Sequence, residues 1–175
     1  MKRFIIICIL MLLLLILAVF LMPAADGQAK EIPDDFETRI QSMIREHKIM
    51  TDRLIAAWEH QKESINLLAE AIYWENWHTD KEHLAAYYTG AVVMNRVRSG
   101  AWPDTVKGVL YQKGQYSTTK YFYTKEIPPE VYDMARDIYK NGTPEVPENV
   151  IFQSMQPNLG RGHWKTINGE YFAYG

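Results

Sequence analysis

Residues 4–22 form an unbroken apolar run of nineteen residues, preceded by Met1-Lys2-Arg3 and followed by Pro23-Ala24-Ala25-Asp26-Gly27-Gln28-Ala29. Such a run cannot lie on the surface of a water-soluble domain without opening a large apolar patch. A basic start, a long apolar stretch and small residues beyond it form the pattern of an export signal. About twenty apolar residues is also the length that crosses a bilayer as a helix. The run therefore predicts a cleaved leader or a retained anchor. In the anchored case Lys2 and Arg3 stay in the cytoplasm and the remainder faces outward. The expected organisation is a signal peptide or anchor over 1–29, a linker and amphipathic helix over 30–62, and the main domain over 63–175.

The one cysteine, Cys8, lies inside the apolar run. The exported part would have no thiol, which excludes a disulfide framework, a cysteine nucleophile and a cysteine-ligated metal. The formal net charge of −2 gives no reason to propose nucleic acid as a partner.

Helical periodicity dominates the rest. Phe36, Ile40, Met43, Ile44, Met50, Leu54, Ile55 and Trp58 recur at helical spacing, predicting a helix over 35–59. A second helix is expected from Ser64 to Trp77, a third from Glu82 to Val97, and a short one from Asp104 to Tyr111. Pro128-Pro129 opens another, which ends at Asn141-Gly142. Gly114 to Tyr123 reads as a loop, and Val150-Ile151-Phe152 as a strand. Trp164 to Tyr174 reads as a hairpin turning at Asn168-Gly169, a dipeptide suited to a type I′ turn. The sum is an α+β domain, mostly helical, with a small antiparallel sheet.

Glu75 stands out. Period 3.6 places it on the stripe of Leu68, Ala71 and Ile72, a face expected to be withdrawn from water. Glu70 is expected on the opposite, wet face. Desolvation raises a carboxyl pKa, and a helix C-terminus acts in the same direction. A glutamate tuned upward acts as a general acid near neutral pH. The competing reading is a structural carboxylate paired with Arg96 or Arg98. Gly114-Gln115-Tyr116-Ser117-Thr118-Thr119 offers an amide, a phenol and hydroxyls of the kind that hold sugars, or else an ordinary surface loop. Asn95 is expected to hold a neighbouring loop carbonyl.

Leu67-Leu68-Ala69-Glu70-Ala71-Ile72-Tyr73-Trp74-Glu75, then Ala91-Val92-Val93-Met94-Asn95-Arg96-Val97, resembles the spore cortex-lytic, SleB-type cell wall hydrolases. The similarity continues through Trp102-Pro103-Asp104-Thr105-Val106, Val109-Leu110-Tyr111-Gln112 and Gly114-Gln115-Tyr116-Ser117. It closes with Val150-Ile151-Phe152 and the stretch 167–172, covering about residues 66–175. The resemblance implies a lysozyme-like, lytic-transglycosylase-like catalytic domain acting on the glycan strands of peptidoglycan. It also implies Glu75 as the single catalytic glutamate. Gln115, Tyr116, Ser117 and Tyr73 are expected to bind substrate. The chain departs from the family pattern in three places. Asn76-Trp77-His78-Thr79 stands where Ala-Arg-Gly-Glu is usual, Tyr116 replaces Phe, and Glu170 stands about where a histidine precedes the last aromatic strand.

The implied chemistry is cleavage between N-acetylmuramic acid and N-acetylglucosamine, giving 1,6-anhydromuramic ends, with no metal or cofactor. A muramidase with Asp80 or Glu82 positioning water is the first alternative. A zinc amidase is another, but His78 and His83 are five apart rather than at the one-face i, i+4 spacing, and His47, His60 and His163 stand apart. A non-catalytic peptidoglycan-binding envelope protein is the third.

Overall fold

The structure, a computed structural model, describes residues 34–79, 81–157 and 160–175. The leader or anchor expected over 1–29 lies outside them. Among the described residues no helix is long and apolar enough to cross a membrane. The chain divides into two compact units, Met1–Thr51 and Asp52–Gly175.

Helix α1 spans Asp34–Asn76 without interruption. The expected break near residue 60 is not there. His60-Gln61-Lys62-Glu63 contains neither glycine nor proline, so nothing in the backbone stops propagation. Ser64, read as a helix start, is instead buried within α1. In the first unit, Phe36, Met43, Ile44 and Met50 are exposed.

Within the second unit, α2 spans Leu84–Arg98, α3 Val106–Leu110 and α4 Pro129–Asn141. Thr105 caps α3, its hydroxyl accepting from the Gly108 amide at 3.1 Å. Pro129 starts α4, and Gly142, at φ 77°, ends it. The expected loop after Gly114 contains a single 3-10 turn, Ser117–Tyr121.

Strands β1 (Val150–Ser154), β2 (Gly162–Ile167) and β3 (Glu170–Tyr174) form an antiparallel sheet in the order β1-β3-β2. Asn168 and Gly169, both at positive φ, make the β2–β3 turn, as a type I′ geometry requires. The α+β architecture expected from the sequence is the one observed.

The core surrounds the last turns of α1. Leu67, Leu68, Ala69, Ala71, Ile72 and Tyr73 are all buried. Gly90 lets α2 approach closely: a Cβ there would lie 2.7 Å from Ile138 Cδ1 of α4 and 3.0 Å from Ile72 Cδ1 of α1. A second cluster, including Tyr88, Val92, Val150 and Phe172, seals α2 against the sheet. Asn95 Nδ2 donates to the carbonyls of Pro147 and Val150 at 3.0 and 3.1 Å. Its expected role in holding a loop is the one observed.

Glu70 corrects the sequence reading. It is 1% exposed, and its Oε2 accepts from Trp74 Nε1 at 3.0 Å. The amphipathic argument assumes that one face of a helix meets water. Here the last turns of α1, residues 67–73, are buried on every side, so both faces of that stretch are interior.

Candidate active site

Glu75 lies in the last turn of α1, and three sets of contacts fix that end. The buried Asn76 donates Nδ2 to Thr89 Oγ1 of α2 at 2.8 Å, and Thr89 donates to Ala85 O at 3.1 Å. Thr79 Oγ1 donates to the Asn76 carbonyl at 2.8 Å, satisfying a helix-end acceptor. His83 stacks on Trp77 with ring centroids 3.6 Å apart, and its Nδ1 lies 2.8 Å from Trp77 O. A carbonyl only accepts, so Nδ1 carries the proton in that contact.

The Glu75 side chain is half-buried, as its place beside Leu68, Ala71 and Ile72 predicts. Thr118, on the 3-10 turn, donates its hydroxyl to Glu75 Oε1. Burial raises the Glu75 pKa above the usual carboxyl value, and the Thr118 bond partly opposes that rise. Among the described residues no basic side chain forms an ion pair with Glu75. Arg96 is engaged elsewhere: its Nε donates to Ile151 O at 2.7 Å, and its guanidinium lies 4.2 Å from the Trp102 ring and 5.4 Å from the Tyr116 ring. The structural pairing considered for Glu75 is therefore not formed with it.

The four expected substrate-binding residues fall in different surroundings. Gln115 and Ser117 are exposed, on a depression of roughly 310 Å³ that Tyr116 and Thr119 also line. Glu75 does not line that depression; Thr118, between Ser117 and Thr119, is the link to it. Tyr116 is buried, its hydroxyl lacks a hydrogen-bond partner, and burial pushes its pKa up to about 12. A buried, unpaired hydroxyl is costly unless water or a ligand reaches it. Tyr73 packs edge-on against Trp74 and His78, and Lys125 Nζ lies 4.9 Å from its ring. Tyr73 is thus a buried wall of the Glu75 turn rather than an open platform.

Two residues join the site that the sequence reading did not assign to it. Thr118 belongs to the polar cluster singled out above, but only tertiary structure shows that it reaches Glu75. Glu170 opens β3, half-withdrawn from water. Burial and the nearby Glu75 charge together raise its pKa to about 7. Of the two alternative water-positioning residues, Glu82 is exposed, and Asp80 lies outside the described residues.

Among the described residues no group of three or more histidine, cysteine, aspartate or glutamate side chains could hold a metal ion. His78 is against Tyr73, His83 against Trp77, and His163 Nε2 lies 2.8 Å from Thr166 Oγ1.

Residues 82–172, just over half the chain, match the family model of the cell wall hydrolases. The chain belongs to the cell wall hydrolase family, whose substrate is peptidoglycan. Gln115, Tyr116, Ser117, Thr118 and Glu170 fall inside the matched segment, and Tyr73 and Glu75 precede it. No curated protein and no solved structure matches the chain significantly.

Proposed function

We propose that the enzyme cleaves the glycan strands of peptidoglycan by lytic transglycosylation, with Glu75 as acid and then base. The observation that carries this reading is the Glu75 carboxyl itself: half-buried at a clamped helix end, unpaired with any described cation, and raised in pKa. Protonated Glu75 gives its proton to the oxygen linking N-acetylmuramic acid to N-acetylglucosamine, and the C1–O bond breaks. The Glu75 carboxylate then takes the proton of the muramoyl 6-hydroxyl, whose oxygen bonds to C1. The product carries a 1,6-anhydro end, and Glu75 regains its proton. No water is consumed, and no metal or cofactor enters the scheme.

In this reading Gln115 and Ser117 meet the sugar from the exposed rim, and the unpaired Tyr116 hydroxyl offers a donor within. Tyr73 supports the Glu75 turn from behind. Residues 1–29 carry the domain out of the cytoplasm, as a cleaved signal or as an anchor through residues 4–22, to where its substrate lies.

The test is mass spectrometry of soluble fragments released from purified peptidoglycan by the purified chain. Ends of 1,6-anhydromuramic acid are expected. Reducing muramic ends would replace the scheme with hydrolysis, and release of free peptides would replace it with an amidase. Glu75→Gln should lower turnover roughly 10²–10⁴-fold while glycan binding persists. Wild-type turnover in that variant would remove Glu75 from the chemistry.

A further inference from the structure

We infer that α1 pairs, antiparallel, with α1 of a second copy of the chain, along an apolar seam between Phe36 and Ala57. The inference is independent of the chemistry assigned to Glu75.

Helix α1 runs unbroken over Asp34–Asn76, and its last turns supply the core. Ahead of them, Phe36, Met43, Ile44, Met50, Leu54 and Trp58 are each between 45% and 65% exposed. Single exposed apolar side chains are ordinary, but a contiguous row marks an interaction face. Phe36, Ile40, Met43, His47, Met50, Leu54 and Ala57 follow one another by alternating steps of four and three. That is the spacing of a two-helix seam. Ile44 and Trp58, one position beyond Met43 and Ala57, widen the seam on one side.

Two kinds of occupant suit an apolar helix face: a lipid surface and another helix. A helix that lies on anionic lipid carries an excess of Lys and Arg on its polar face. Residues 34–62 hold six acidic and five basic residues, so no net positive charge draws this helix to lipid.

The charges fit a second copy instead. Glu46 and Arg53 lie along one edge of the seam, each directly before a seam residue. Among the described residues neither has an ion-pair partner within the chain. A second copy turned end for end, its Leu54 against Met43 and its Met50 against His47, brings its Arg53 beside Glu46. Two-fold symmetry makes each of these contacts twice. Sliding the copies by seven residues would set Glu46 beside Glu46 and Arg39 beside Arg53, so like charges oppose that register. Parallel pairing would set Arg39, Glu46 and Arg53 beside Ile44, Thr51 and Trp58, and leave the charges unmatched. Covering the six exposed side chains on both copies removes on the order of 1,200 Å² from water, which reaches the size of a stable interface. His47 is the polar member of the seam, and such a residue fixes register at a cost in stability. Pairing puts two wall-degrading domains on one particle, which holds an insoluble polymer longer than one domain does.

Sedimentation equilibrium of the purified full chain over a range of concentrations tests the pairing. The wild type should follow a reversible monomer–dimer equilibrium. Leu54→Glu should weaken it by roughly 100-fold, since both copies lose the residue. Leu54 is exposed in the single chain, so this substitution removes no core contact. Glu46→Arg should weaken the dimer several-fold. Glu46→Arg combined with Arg53→Glu should recover most of that loss, because the reversed charges again face each other. His47→Leu should tighten it.

A wild type that stays monomeric at its highest soluble concentration would overturn the inference. So would association unaffected by Leu54→Glu, which would place the contact elsewhere, residues 1–29 included. A monomer that binds phosphatidylglycerol vesicles, and loses them in Leu54→Glu, would give the seam to lipid instead. Failure of the double charge reversal to recover association would overturn the antiparallel register.

Discussion

Thr118 donates its hydroxyl to Oε1 of Glu75 from a position 43 residues further along the chain. The bond joins the end of α1 to the 3-10 turn and stabilises the charged form of the carboxyl. It therefore works against burial, which favours the neutral form.

Removing that bond sets a direction. Thr118→Val keeps the shape and deletes the donor, so the Glu75 pKa should rise further. The alkaline limb of the pH–activity profile should move to higher pH.

Glu170 also links stability to pH. Its folded pKa of about 7 lies above the ordinary 4.5. The raised value supports folding fully below 4.5, and that support is lost as pH rises through about 7. Glu170→Gln should therefore unfold at higher urea than the wild type under mildly alkaline conditions. The advantage should shrink under acid conditions, as paired urea titrations would show.

Asn95→Ala removes one side chain that serves two carbonyls, Pro147 O and Val150 O. Losing a buried donor shared in this way should cost roughly 2 kcal/mol. A lowered Tm in a thermal melt is the expected readout, with residual activity once the protein is held below that temperature.

Glu70→Ala should also destabilise, by roughly 2–4 kcal/mol, because Trp74 Nε1 loses its acceptor and a cavity opens in the core. Denaturant unfolding would measure it. Glu70 is therefore unsuitable as a neutral control for Glu75→Gln. The exposed Glu130 on α4 is suitable, and Glu130→Gln should leave both activity and stability near wild type.

Local patterns were legible where their cause is local. The Leu68, Ala71 and Ile72 stripe, the Asn168-Gly169 turn and the Pro129 and Gly142 helix limits follow from backbone sterics and period alone. Glu70 was misread because period 3.6 separates two faces but does not say whether both are covered. The signal was present: Leu67, Ala69 and Tyr73 flank it on its own side. Thr118 and Glu170 needed tertiary placement. Nothing in a Ser-Thr-Thr run, or in the residue after a hairpin turn, reveals which carboxyl it meets. The sequence pattern that picked out Glu75 could not supply its neighbours, since they come from a 3-10 turn and a strand far along the chain.

The end of α1 is held by Asn76 on Thr89, Thr79 on the Asn76 carbonyl and His83 on Trp77. A proton donor mounted on so stiff a support cannot travel to meet a mobile polymer. Under the proposed chemistry, the work of alignment falls to the glycan and to the open rim around Gln115 and Ser117. Rim substitutions should therefore alter how well successive saccharide units are threaded into place, and so which lengths of strand are cut, more than the acidity of the group that cuts them.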